Sequence, residues 1–176
     1  MASVTNKYLT AIKQNLDATL NLRFFPSQIV ERQIHPEVEF QDNPSLLLDP
    51  IYISKSEQEQ CLIEASVNSV RISIAIAKND ELSTLLTKKL GDFMTLRADK
   101  FEILRKKPIS DNYDFSFLIS AQHLQTYKKE ELINFIIEFI HGVNKEISDL
   151  KLCVSEHAAT ATRFYTNGAS ANKITF

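Results

Sequence analysis

Glycine is scarce: the 176 residues include three, at positions 91, 142 and 168. Glycine lets a backbone wrap closely round a phosphate or turn sharply beneath a reactive atom, so its scarcity argues against a compact nucleotide-binding loop. The specific patterns agree, since neither GxxxxGK nor GxSxG occurs and no glycine-rich motif follows a predicted strand. Cysteine is equally sparse. Cys61 and Cys153 stand far apart and in no CxxC pattern, which excludes a disulfide framework, a redox pair or a cysteine-rich zinc site and fits a reducing compartment. The four histidines, His35, His123, His141 and His157, lack the HExxH-type spacing that sets two imidazoles on one helix face, so no metal is expected. No segment approaches the roughly 18 unbroken apolar residues of a membrane span, and Met1 to Lys7 lack an apolar signal core. An excess of either charge is missing as well. Twenty Lys and Arg against 22 Asp and Glu leave a formal charge of −2, with no global attraction for nucleic acid or an anionic membrane. The expectation is a cytoplasmic protein with neither as a partner. No catalytic group stands out, because Glu57, Glu59 and the Glu130-Glu131 pair read as solvated surface charges.

What is present is an ordinary globular composition, 44% hydrophobic and 24% charged, sufficient for one core. Beyond a cap at Thr5 or Asn6, Leu9, Ile12, Leu16 and Leu20 recur at helical spacing. Pro26 and the following Gln28 to Arg32 begin an extended stretch, and Pro36, Pro44 and Pro50 keep the chain between them out of helix. Val70, Ile72, Ile74 and Ile76 alternate with Arg71, Ser73, Ala75 and Ala77, which predicts a strand with one apolar face. Its neighbour, Cys61 to Val67, joins it through a hairpin at Asn68-Ser69. A second helix, capped by Asp80, carries Leu82, Leu85, Leu86, Leu90, Phe93, Met94, Leu96, Phe101 and Leu104 before Pro108 ends it. After the Ser110-Asp111-Asn112 turn, Tyr113, Phe115, Phe117 and Ile119 alternate as a further strand. The fold class is therefore α+β, an antiparallel sheet with packed helices. It forms one domain over residues 1–165, with a flexible tail over 166–176.

The last element begins near Lys128 and is a long helix. Leu132, Ile133, Phe135, Ile136, Ile137, Phe139 and Ile140 cover almost its whole circumference, and Val143, Ile147 and Leu150 continue the pattern. A single core needs one stripe, so burial from two sides is expected, with a partner covering the second. Each buried Phe or Ile contributes about 1.5–3 kcal/mol, and several left in water invite aggregation. The other feature is Arg105-Lys106-Lys107-Pro108. Three cations closing a predicted helix complement its carbonyl end, or they meet an acidic surface.

Ordered blocks along the chain resemble a family. Ser27 to Arg32, Pro36-Glu37-Val38-Glu39, Leu46-Leu47-Leu48, Leu62-Ile63-Glu64, Asn68 to Arg71, Ile103 to Pro108, Tyr113 to Ile119 and Lys145 to Ser148 are similar to subunit 4, the twenty-kilodalton subunit, of the actin-related protein 2/3 complex. The resemblance runs from about Tyr8 to Val154. It implies a non-catalytic scaffold without cofactor, in the cytoplasm with the actin cytoskeleton, functioning in actin nucleation and filament branching. It further implies a long C-terminal helix packed antiparallel on that of the larger scaffold subunit 2. Leu132, Phe135, Ile136, Phe139, Ile140, Val143 and Ile147 are the expected partner-helix interface. The pair would hold the two actin-related proteins, touch other complex subunits and contact the mother actin filament through Lys55, Arg105, Lys106 and Lys107. Two arginines that the family carries near the helix end are absent, where this chain reads Ser155-Glu156-His157-Ala158-Ala159. On the residues alone, a self-associating chaperone-like or adaptor domain using the same helix is the alternative.

Overall fold

Four apolar residues at helical spacing place one face of the first helix against the core. The computed structural model describes residues 2–22, 36–41, 43–76, 92, 102–105 and 112–169. Helix α1 (Ala2–Thr19) starts three residues ahead of the expected cap, so Thr5 and Asn6 lie inside it. Leu9, Ile12, Leu16 and Leu20 are buried as their spacing predicts, with Tyr8 beside them. The extended stretch at Gln28 to Arg32 and the predicted helix from Asp80 to Phe101 fall outside the described residues, except for Asp92, which is helical.

The prolines do not exclude helix altogether between positions 36 and 50. Pro36 is the N-cap of a single helical turn, α2 (Glu37–Phe40), and Pro44 begins a 3-10 turn, Pro44–Leu46. A proline at a helix start gives up an N–H that no intrahelical carbonyl would have used, which is why this position tolerates it. The orphan donors are met from elsewhere: Glu37 N–H donates to Asn68 Oδ1 (3.1 Å) and Val38 N–H to Ser69 Oγ (3.2 Å). Asn43 caps the second turn by accepting from Ser45 N–H.

Five antiparallel strands form one sheet in the order β1-β2-β3-β5-β4: β1 Ile51–Ser54, β2 Gln60–Ala65, β3 Ser69–Ala75, β4 Leu104–Arg105 and β5 Phe115–Ser120. The β2–β3 hairpin forms as predicted, with Ala65 opposite Val70 and Ile63 opposite Ile72. Its turn is locked by a buried polar knot in which Ser66 Oγ lies 3.0 Å from Asn68 Oδ1 and 2.8 Å from Ser69 Oγ. No residue of this turn has a positive φ, so it needs no glycine, and the side-chain oxygens hold it by hydrogen bonds instead. The sequence places Leu104 and Arg105 in a helix, and here the structure differs: they form an edge strand paired with Phe117 and Ser116. Ile103, fully buried, accepts from Leu118 N–H at 2.8 Å and draws this segment onto the sheet.

The β5 alternation puts Phe115, Phe117 and Ile119 in the core, facing a helix pair. A short helix, α3 (Ala121–Thr126), follows Ser120 and is closed by a capping box. Ser120 N–H donates to His123 Nδ1 at 3.0 Å, so the ring proton sits on Nε2. Then comes α4 (Lys129–Ala169), 41 residues and about 60 Å long. It runs past position 165 into the stretch expected to be tail. Phe117 packs edge-to-face on Phe139 (centroids 5.3 Å) and on Phe135 (6.3 Å), an arrangement that matches ring edges to ring faces. Helices α1 and α4 lie side by side over the sheet, and their apolar residues join it in one core.

Candidate interaction surface

In α4 the apolar circumference is satisfied by the chain itself. Leu132, Phe135, Ile136, Phe139, Ile140, Val143 and Ile147 are all buried within this single chain, Phe135 the most exposed at 9%. The partner invoked to cover them is unnecessary, because α1 and the sheet enclose the helix from more than one direction. The surface that does lack cover begins after Leu150. Residues 151–157 are exposed without interruption, as are 159 and 160. Seven consecutive exposed residues exceed one 3.6-residue turn, so the helix leaves the body and stands open on every face. Leu152 is 63% exposed and Val154 is 37% exposed.

Sequence spacing of the histidines missed one pair on this projection. Cys153 Sγ lies 3.7 Å from His157 Nδ1, which is also 2.7 Å from the Cys153 carbonyl oxygen. A carbonyl only accepts, so Nδ1 carries a proton. A search for Cys four residues before His, and not only for paired histidines, finds it. Among the described residues no three His, Cys, Asp or Glu side chains converge as metal ligands do.

The two cationic candidates among the described residues, Lys55 and Arg105, do not lie side by side. Lys55 follows β1 at one edge of the sheet, whereas Arg105 lies in β4 at the other, four strand spacings or about 19 Å away. Lys106 and Lys107 lie outside the described residues. Lys55 is bound to Glu59, Nζ to Oε2 at 2.7 Å and to Oε1 at 2.9 Å, so much of its charge is met locally. Arg105 belongs to a strand, which removes complementation of a helix end as its role. On the sheet face away from α1 and α4, Arg71 is 4% exposed and held by Glu64, its cross-strand neighbour, at 2.7 Å from both Nε and Nη2.

The described residues form an α+β body from which one exposed helix projects, the kind of surface on which subunits assemble. The comparisons with known proteins give the family. The model of the ARP2/3 complex 20 kDa subunit (ARPC4) family matches residues 1–167, and the chain belongs to that family. It is 45% identical over 158 residues to the probable actin-related protein 2/3 complex subunit 4 of Caenorhabditis elegans, covering 90% of this chain and 93% of that one. It is 44% identical over 166 residues to subunit 4 of Saccharomyces cerevisiae (94% and 96% covered) and 43% over 155 to that of Dictyostelium discoideum (88% and 91%). The chain is accordingly a non-catalytic subunit of the actin-related protein 2/3 complex, with its place in actin nucleation and the cytoskeleton.

Proposed function

We propose that within the complex this chain pairs with the larger scaffold subunit 2 through the projecting half of α4. The pair would hold the two actin-related proteins, contact the mother filament and act in the cytoplasm. The observation that carries this reading is the uninterrupted exposure of residues 151–157. An unsupported helix of this length is marginal in water, and packing along one face supplies what propensity does not. Leu152 and Val154 would each add about 1.5–3 kcal/mol if fully covered. The core residues Phe135 to Ile147 support the interface from behind, by fixing where the helix leaves the body.

The test is co-expression with the larger scaffold subunit, followed by size-exclusion chromatography with light scattering. A one-to-one heterodimer is expected for the native chain, and its loss for Leu152→Asp combined with Val154→Asp. The variant's own circular dichroism melting should stay unchanged, since neither residue belongs to the hydrophobic core. A heterodimer that survives the double substitution, or a homodimer that ignores the larger subunit, removes the proposed pairing.

A further inference from the structure

Between the first turns of α1, the β1–β2 loop and the middle of α4 runs an open groove of about 810 Å³. One wall is a stripe of α4. His141, Asn144, Lys145, Ser148 and Lys151 line it, and their spacing of i, i+3, i+4, i+7 and i+10 keeps them on one helix face. The opposite wall presents Val4, an apolar side chain 54% exposed, across from the buried Ile147. The acid that lines the groove, Glu59, is already engaged by Lys55. Lys145 and Lys151 are exposed and form no ion pair among the described residues, whereas Lys129 on the same helix is paired with Asp17 at 3.0 Å. The groove thus sets the exposed Val4 beside two cations that form no ion pair among the described residues.

We propose that this groove docks a short acidic segment of a partner protein, with an apolar side chain seated against Val4 and Ile147 and carboxylates against Lys145 and Lys151. Charge complementarity selects the occupant. Two cations beside an apolar strip are too few to follow a nucleic-acid backbone, and they suit one or two carboxylates flanking an apolar anchor. From His141 to Lys151 the wall is about 15 Å long, room for about three helical turns or five extended residues. The whole chain's charge of −2 gives an acidic partner no long-range attraction, so recognition depends on the groove itself. The site lies mainly on the body of the protein and meets the projecting half of α4 at Lys151.

The test uses purified complex containing this chain and fluorescence anisotropy with two labelled peptides of roughly 12 residues and identical composition, long enough to fill the wall. One carries leucines at helical spacing between glutamates, and the other is scrambled. The patterned peptide is expected to bind about tenfold more tightly, and Lys145→Glu with Lys151→Glu to weaken it by about tenfold. Val4→Asp, at the exposed start of α1, should weaken it too, and Lys128→Glu outside the groove should not. Equal binding of the scrambled peptide, no binding, or indifference to both groove variants overturns the proposal. Subunit composition of each complex is read separately by chromatography, so a defect in pairing is distinguished from a defect in the groove.

Discussion

The hydroxyl of Tyr8 is buried without a hydrogen-bond partner among the described residues. Burial pushes its pKa up, and Cys61 and Glu59 nearby add to the effect. Burial likewise pushes the Cys61 thiol from 9.0 up to about 12. Tyr113 is raised in the same direction, first by burial and then by Tyr52, Glu64 and Cys61. All three groups hold their protons to higher pH in the folded chain than in the unfolded one. The stability they contribute is therefore complete below the unfolded thiol value of 9.0 and is lost as pH rises from there towards about 12. The urea midpoint should be flat near neutrality and fall across that window. Tyr8→Phe should make the fall shallower. At neutral pH, removing a buried hydroxyl that satisfies nothing should leave stability unchanged or raise it by about 1 kcal/mol. A clear loss of stability there would mean that the hydroxyl has a partner.

Between strands, the cross-strand pair Glu64–Arg71 carries a similar argument. Arg71 lies in the central strand β3, every residue of which except Ala75 is buried, so its guanidinium depends on the Glu64 carboxylate. Glu64→Ala leaves that charge buried and alone, at a cost of about 3 kcal/mol, the low end for a broken buried pair because Glu64 keeps 25% of its side-chain surface in water. Chemical denaturation measures the loss, and adding Arg71→Met should recover most of it. That β3 and β5 are strands was legible from alternation, and α1 and α4 from helical spacing. That Arg71, Ser73 and Ser116 would also be buried was not, because a polar residue on an alternating strand looks the same whether its face meets water or protein. Strand β4 was hidden for a different reason. Leu104 continues the apolar spacing of the residues before it, and only the distant partner Phe117 decides that the segment is extended. At Leu132 to Ile140, periodicity revealed burial on several sides without revealing that α1 and the sheet of the same chain provide it. Phe139→Asp consequently tests the fold and not the interface.

For the whole molecule, the placement of Lys55 and Arg105 decides how the proposed filament contact should respond to mutation. Lys55 and Arg105 stand at opposite edges of the sheet, so an acidic filament surface would meet them as separate points. Lys55 already spends its charge on Glu59, and Lys55→Glu would disturb the β1–β2 loop as much as any contact. Replacing Arg105, Lys106 and Lys107 together by Glu reverses the denser charge. In the assembled complex this should lower filament co-sedimentation by about tenfold at low salt, with a smaller deficit as ionic strength rises, because screening weakens exposed charge pairs. Lys55→Glu alone should cost distinctly less. Subunit composition should be intact in both, since the projecting half of α4 is untouched. A deficit that stayed constant with salt would point to a disturbed β4 edge, and an unaltered affinity would take these three residues out of the filament contact.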